Sequence, residues 1–229
     1  MKNLTKLKIV LALTFGLALL GCNPPAALTP AQRAVDDAFK HFKEMVSQHD
    51  SLSAGAMLSR ESLEYYGRFR TLALNAPAPE VHQMSVGEKY FTLGLRQMST
   101  TGAIEHMTNK DVFRFLMDKG MTMNEKLISH ITLGKISISG DVAHASVLIN
   151  DQPTKDLNLL LLREGNKWKV DVRNLLKMGD KAISAAAKKH NISEDEIVTK
   201  GLEAISKKKL SPTIWAPLVN GASQRTGIN

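Results

Sequence analysis

The chain has 229 residues, a length that suits one good-sized domain or one domain with an appendage. Its 43% hydrophobic and 23% charged residues are typical of a globular protein and exclude a disordered or collagen-like chain. A single cysteine excludes an intramolecular disulfide framework and any zinc site built from several cysteines. The formal net charge of +8 is a mild basic excess that does not by itself indicate nucleic acid, and we expect no nucleic-acid partner.

Residues 1–21 have the three parts of a secretory signal peptide. Three lysines within the first eight residues precede an apolar run over residues 9–20. A helix needs about 20 apolar residues to span a bilayer, so this run is too short to do so comfortably. The run ends at Leu19-Leu20-Gly21-Cys22. The sequence therefore predicts a signal peptide that is removed just before the cysteine.

These four residues resemble the lipobox of bacterial lipoproteins, which has an aliphatic residue three places before the cysteine and a small residue just before it. Leu19 and Gly21 match those positions, and Leu20 is a less usual occupant of the middle one. The resemblance implies that Cys22 becomes the N-terminus and carries a diacylglyceryl thioether and an amide-linked acyl chain, such as palmitate. At about 0.8 kcal/mol per buried methylene group, three acyl chains anchor a protein permanently.

The residue after the cysteine bears on the destination of the mature chain. The inner-membrane retention signal of bacterial lipoproteins is an aspartate at this position, whereas this chain has Asn23. The sequence therefore resembles the outer-membrane sorting pattern of a Gram-negative host, and we expect the protein on the periplasmic face of the outer membrane. The alternatives are a plain secretory signal with an incidental cysteine, or an uncleaved membrane helix.

Residues 22–28 predict a short tether, and a helix begins sharply after it. Thr29 suits the N-cap, Pro30 the first helical position, and Gln32 completes a capping box. Apolar residues then recur at intervals of three and four, which predicts one buried helix face: Ala31, Ala34, Val35, Ala38, Phe39, Phe42 and Val46.

Further helices are predicted before the chain changes character near Ile128. Two of them span residues 52–58 and residues 61–74. Two more begin at capping boxes over residues 85–88 and residues 108–111. The proline-containing segment 76–79 interrupts the helical pattern, and Gly120 is the expected stop of the last helix.

Residues 136–172 predict two antiparallel β-hairpins, because polar and apolar residues alternate around the turns Gly140-Asp141 and Gly165-Asn166. In the first hairpin, the predicted partners are Ile138 with Ala143, Ile136 with Ala145, and Ser137 with His144. In the second, one face is expected to collect the apolar residues Leu157, Leu159, Leu161, Trp168, Val170 and Val172. Lys169 and Asp171 are expected on the opposite face.

Residues 174–229 predict a helical C-terminal extension. Asn191 separates a helix over residues 174–190 from a second helix that begins with a capping box at residues 193–196. Beyond it, Ile214-Trp215 lies between two prolines. Such an aromatic residue in a polar tail either packs on its own domain or contacts a partner, and we favour packing on the domain.

The order of helices followed by hairpins, ending in Gly165-Asn166-Lys167-Trp168-Lys169-Val170-Asp171, resembles the nuclear transport factor 2-like superfamily, and more narrowly its bacterial envelope lipoproteins. The resemblance covers residues 29–173. It implies an α+β fold in which a strongly curved antiparallel sheet wraps around N-terminal helices as a cone, with a pocket in its mouth. The helical extension over residues 174–229 is an addition to that pattern.

Enzymes of this superfamily, such as ketosteroid isomerases, use a carboxylate inside the cone with a tyrosine donor. The candidate residues in this chain are Tyr65, Tyr66, Tyr90, Asp111 and Asp118. None of them lies in a motif that matches the family, and the predicted inward faces of the strands are apolar. We therefore interpret the acids as helix caps and the tyrosines as packing or pocket residues, and predict no catalytic residue.

Metal and anion sites are also weakly indicated. Histidine and methionine lie close together at residues 82–84 and 106–107, and two methionines lie at residues 121–123. Such side chains are soft ligands for copper(I), but their spacing matches no established site. The lysines at 188–189 and 207–209 suit solvated helix ends better than a lipid or acidic partner. We expect no metal and no cofactor.

The hypothesis that these observations favour is a non-enzymatic, membrane-anchored lipoprotein that binds an envelope protein or a small apolar ligand. The residues proposed to contact the partner or line the pocket are Tyr65, Tyr66, Tyr90 and Trp215. One alternative is an isomerase or dehydratase that uses a carboxylate in the cone. Another is an envelope immunity or assembly factor that docks through its helical tail.

Overall fold

A computed structural model describes residues 27–122 and 125–219. The predicted signal peptide, the lipobox residues Leu19, Leu20 and Gly21, and Cys22 lie outside the described residues. Within the described ranges, no helix is long and apolar enough to cross a membrane.

The described chain is α+β, with eight helices before a four-stranded sheet and two more after it. The helices that precede the sheet are α1 (Pro30–Ser47), α2 (Ser51–Met57), α3 (Arg60–Asn75), α4 (Ala78–Gln83), α5 (Val86–Met98), α6 (Thr101–His106), α7 (Asn109–Asp118) and α8 (Glu125–Ser129). The later elements are β1 (Ile131–Ser139), β2 (Val142–Ile149), β3 (Gln152–Glu164), β4 (Lys167–Asp171), α9 (Arg173–His190), α10 (Glu194–Ser206) and a 3₁₀ helix (Pro212–Trp215).

Most helices begin and end where local sequence predicts. The capping boxes at Thr29, Ser85 and Thr108 are all formed. In each, the N-cap hydroxyl accepts a hydrogen bond from the amide of the third helical residue, and the side chain of that residue accepts one from the N-cap amide. At the end of α7, Gly120 has a φ of +68°, and the amide of Met121 donates to a carbonyl of the last turn at 2.8 Å.

One prediction about helices was wrong in detail. At Ser193 only half of the capping box forms, because the Glu196 side chain pairs with Lys200 one turn further on. The segment over residues 76–79 interrupts the helical pattern as predicted, since α3 ends at Asn75 and Ala76 is extended, and Pro79 then lies in the first turn of α4. Proline is tolerated there because first-turn amides have no intrahelical acceptor.

The sheet is an antiparallel meander in the order β1-β2-β3-β4. The predicted partners in the first hairpin are confirmed: Ile136 with Ala145, Ser137 with His144, and Ile138 with Ala143. A bulge interrupts β1 at Gly134 and Lys135, where the amide of Lys135 donates to Ser146 Oγ at 2.8 Å. A Cβ at Gly134 would lie 2.6 Å from that hydroxyl, so a larger residue would have to displace Ser146 Oγ from this position. Bulges of this kind bend a strand and increase its twist.

The second hairpin has the predicted apolar face, which is only partly covered next to its turn. Leu159, Leu161 and Val170 are fully buried. Trp168 is only partly buried, because it lies near the start of the edge strand β4 and lines an open surface groove between β4, α1 and α2. Trp168 therefore lies on the predicted face and packs against the core, but it is not fully buried.

The core lies between the sheet and α1 and continues into the helices. The buried side of α1 consists of Val35, Phe39, Phe42 and Val46. An aromatic cluster joins α3, α5 and α7 with edge-to-face contacts, among them Tyr66 to Phe113 and Phe69 to Phe91, each with ring centroids 5.1 Å apart.

The helices after the sheet pack on the same core. Val198 and Leu202 on α10 are buried against α5, and Leu175 on α9 is buried beside the sheet. The end of the described chain is also fixed, because the amide of Val219 donates to the carbonyl of Leu74 at 2.9 Å. The segment after residue 173 therefore contributes directly to the hydrophobic core.

Candidate functional site

The best-formed apolar cavity in the described chain lies among helices, and none of its lining residues belongs to a strand. Its volume is about 170 Å³. It is bounded by α3, α5, α9 and the residues after α7, and its lining is Tyr65, Gly87, Tyr90, Phe91, Met121, Thr122, Leu175, Leu176, Gly179, Asp180 and Ile183. Apolar side chains with a few polar groups are typical of a small-molecule site.

The structure separates the three tyrosines that the sequence singled out. Tyr65 and Tyr90 line this cavity, and both are partly buried. Tyr66 lies outside it, fully buried in the aromatic cluster, and its hydroxyl has no hydrogen-bond partner among the described residues. Burial raises the pKa of Tyr66 far above its usual value. The interpretation of Tyr66 as a packing residue is thus consistent with its position.

Asp180 is the one acidic residue in the cavity lining, and sequence analysis did not single it out. Its Oδ2 accepts a hydrogen bond from Ser85 Oγ at 2.7 Å, and its Oδ1 accepts one from the amide of Gly87 at 2.8 Å. Both donors belong to the start of α5, where a negative charge is favoured by the helix dipole. Asp180 therefore fastens α9, the outer wall of the cavity, to α5.

The charge of Asp180 also acts on Tyr65, which lines the same cavity. Burial, and then the charges of Glu88 and Asp180, raise its pKa to about 12, so the phenol is neutral at physiological pH. The Arg68 guanidinium lies over the ring, 5.0 Å from its centroid, and pairs with Glu88. Tyr65 is thus a fixed, uncharged hydrogen-bonding group at an apolar cavity.

The two acids considered from sequence lie elsewhere. Asp111 completes the capping box of α7, which confirms its interpretation as a capping residue. Asp118 is exposed at the end of the same helix. Neither lines the cavity.

The most deeply buried carboxylate in the described chain is Asp171, which is 2% exposed. Asp171 lies on the predicted face of β4. Its burial was not predicted, because it results from contacts with residues of α3 and α9. Ser62 Oγ donates to Oδ1 at 3.2 Å, and the guanidinium of Arg173 donates to both oxygens. Burial acts to raise the pKa of Asp171, but the hydrogen bonds and charge of Arg173 outweigh it and hold the pKa below its usual value.

A lowered pKa makes the contribution of Asp171 depend on pH. The carboxylate stabilises the fold above the unfolded pKa of about 3.9, and this stabilisation is lost as pH falls through the lower folded pKa. We expect Asp171→Asn to cost about 2 kcal/mol near pH 7, in the range for a charged hydrogen bond, and less near pH 3. Urea unfolding at both pH values measures this, with the exposed Asp118→Asn as the control. Equal losses at the two pH values would contradict the assignment.

Trp215 is separate from the cavity and packs on the domain, which confirms the interpretation favoured from sequence. Its ring stacks on His82 with centroids 4.2 Å apart. His82 Nδ1 lies 2.7 Å from Asp195 Oδ2, and the buried Lys89 donates to the other oxygen of Asp195 at 2.7 Å. These contacts join the C-terminal segment, α4, α5 and α10.

No cluster of three or more histidine, cysteine, aspartate or glutamate residues that could hold a metal ion is present in the part of the chain that the structure describes.

The comparisons with known proteins found no matching family model, no significantly similar curated protein and no significantly similar solved structure.

Proposed function

We propose that the mature protein is a lipoprotein tied to the periplasmic face of the outer membrane through acylated Cys22, and that its folded part is a non-enzymatic binding module for a small apolar ligand or an apolar group of an envelope protein. The support for the anchor is the lipobox-like sequence. Thr29 begins the first helix seven residues after Cys22. A tether of that length reaches at most about 25 Å, so the folded part would stay close to the leaflet.

The observation that supports binding rather than catalysis is the hydrogen bonding of the Asp180 carboxylate. The cavity is mainly apolar, and both oxygens of this carboxylate already accept hydrogen bonds from the start of α5. A general base has to reach a proton on the substrate at hydrogen-bonding distance. A carboxylate held against a helix terminus is better suited to positioning α9 than to that task.

The enzymatic alternative retains one specific observation in its favour, since Tyr65 and Asp180 line the same cavity. An isomerase of this kind would exchange protons next to the carbonyl group of a small cyclic ketone. We expect no catalysed exchange when cyclohexanone is incubated with the protein in D₂O and followed by NMR. Exchange that the wild type catalyses and Asp180→Asn does not would establish the enzyme instead.

The alternative of an immunity or assembly factor concerns the tail. Deleting residues 174–229 would remove the buried Val198 and Leu202, so a truncation would disturb the core as well as the surface. Exposed lysines at 207–209 offer a milder test. Co-purified proteins that disappear when these three lysines are changed to glutamate would favour docking through the tail.

The cone geometry implied by the nuclear transport factor 2-like resemblance is also part of the proposal. Its support is the order of helices before a meander, the bulges in β1 and β3, and the packing of α1 on β1 and β4. The cavity described above lies among helices rather than at a sheet opening, so the proposed ligand would bind outside the site that the resemblance implies.

The anchor is tested by two substitutions at adjacent positions. Cys22→Ser should abolish acylation, because the hydroxyl does not replace the thiol that accepts diacylglycerol. Asn23→Asp is the matched control: it should remain acylated and move to the inner membrane. The measurement is incorporation of labelled palmitate, followed by separation of the two membranes. A Cys22→Ser protein that still carries acyl chains would refute the anchor.

A further inference from the structure

We infer that the cavity between α3, α5 and α9 binds a single neutral ring, of the size of toluene, and discriminates against both acyl chains and anions. This inference deepens the proposed function and rests on its claim that the folded part binds an apolar ligand. It does not require the lipid anchor.

The cavity has about the size of one small ring. The cavity volume of about 170 Å³ is close to that of an engineered apolar cavity of about 150 Å³ that holds benzene. Sites for drug-sized ligands have volumes of about 300–1,000 Å³. An acyl chain that reaches the middle of a hydrocarbon core about 30 Å thick is about 15 Å long. The space thus suits one ring with a small substituent and is too small for a lipid.

The walls of the cavity are largely aromatic. Tyr65, Tyr90 and Phe91 present three aromatic rings to the cavity, and Met121 adds a thioether. Aromatic rings pack favourably edge-to-face or offset against a further ring, and sulfur adds favourable contacts with ring edges. A flexible chain gains neither contact and loses more conformational freedom when bound. The lining therefore favours a ring over a chain with the same number of carbon atoms.

The charge of the cavity lining is unfavourable for an anion. No lysine, arginine or histidine is among the described lining residues, whereas Asp180 contributes a carboxylate. An anionic ligand would lose its hydration without gaining a cationic partner and would also face this negative charge. The Asp180 charge is already solvated by Ser85 and the amide of Gly87, so the site has no need of a cationic ligand.

The cavity is accessible from the surface along α9. Ile183 on this helix is 38% exposed although it lines the cavity, so the cavity meets the surface there. One turn earlier, a Cβ at Gly179 would have no heavy atom within 4 Å. The space in front of Gly179 is therefore open, and a small ring can enter without displacement of the backbone.

The experiment compares three probes with seven carbon atoms each: toluene, benzoate and 1-heptanol. Mature Cys22→Ser protein, which keeps every described residue and needs no detergent, is titrated and followed by methyl NMR signals of Met121 and Ile183. We expect saturable shifts with toluene, and at least tenfold weaker binding of benzoate and of 1-heptanol. Equal affinity for the three probes, or no saturable binding of toluene, would overturn the inference.

A pair of matched variants shows whether toluene occupies this cavity. Gly179→Leu should weaken toluene binding at least tenfold, because the new side chain fills the open space beside Ile183. Gly102→Leu makes the same change at another helical glycine with no heavy atom within 4 Å of a Cβ, and it should bind as the parent does. Both changes favour helix formation, so folding should be retained. Ile183→Phe, at an exposed position, provides a second obstruction with the same expected loss.

The outcomes separate the two proposals. Unchanged toluene binding in both obstructed variants would overturn the cavity inference even if Cys22 is acylated. Loss of toluene binding in those variants, with Gly102→Leu unaffected, would support it even if Cys22 is found unmodified. The lipid anchor itself is judged only by the labelling of Cys22.

Discussion

Replacing Arg96 with leucine should lower the free energy of unfolding by more than about 3 kcal/mol, the scale of a broken buried ionic site. The side chain is 5% exposed and donates to five backbone carbonyls rather than to a carboxylate. The acceptors are Leu72 at 3.0 Å, Ala73 at 2.8 Å, Ala76 at 2.6 Å, Ile214 at 3.1 Å and Trp215 at 2.9 Å.

The arrangement explains why one residue has such a large expected effect. Burial lowers the pKa of Arg96 to about 10, so the guanidinium stays charged at neutral pH. It joins the end of α3 to the 3₁₀ helix near the C-terminus. Without it, five carbonyls would lose a charged donor inside the protein, and the segment around Trp215 would lose its attachment.

A matched control is available on α3. Arg70 donates to a single carbonyl, that of Met107, and its replacement by leucine should cost only about 1 kcal/mol. Urea unfolding followed by tryptophan fluorescence measures both variants. If the two substitutions cost the same, Arg96 does not hold the C-terminal segment as we describe.

The second large effect is expected at Leu202. Leu202→Ala should cost about 2–5 kcal/mol, since the side chain is fully buried and its removal leaves a cavity between α10 and α5. The same change at Leu52, which is 57% exposed on α2, should stay within about 0.5 kcal/mol of the wild type. Thermal or urea unfolding of the two variants compares them directly. A cost below about 1 kcal/mol at Leu202 would mean that α10 is a loosely attached extension.

The parts of the fold that the sequence predicts well are those decided by neighbouring residues. The capping box at Thr29 and the stop at Gly120 depend on hydrogen bonds and backbone angles within one or two turns. The register of the first hairpin follows from its two-residue turn. Each of these features is local, so periodicity and turn chemistry are enough to identify it.

The site depends on residues far apart in sequence, and for that reason only part of it was predictable. Tyr65 and Tyr90 were identified as candidates, but nothing in the sequence separates them from the core residue Tyr66. Asp180 meets Ser85 across 95 positions, and Arg96 meets Ile214 across 118. These partners are brought together by the packing of α9 and the C-terminal segment, which helix periodicity alone does not specify.

Trp168 illustrates the same limit for the sheet. Strand alternation correctly places it on the side of Val170, but alternation does not reveal how far the covering helices extend. At the start of β4 the cover of α1 and α2 leaves a groove, and the ring lies partly open to solvent there.

The central claim, a binding module that functions while fixed to a lipid leaflet, is tested most directly by the mass of the N-terminal peptide of the protein isolated from its own membranes. The account predicts a peptide that begins at Cys22 and carries a diacylglyceryl group and one further acyl chain. A peptide from the mature protein that contains an unmodified cysteine, recovered from the soluble fraction, would contradict it.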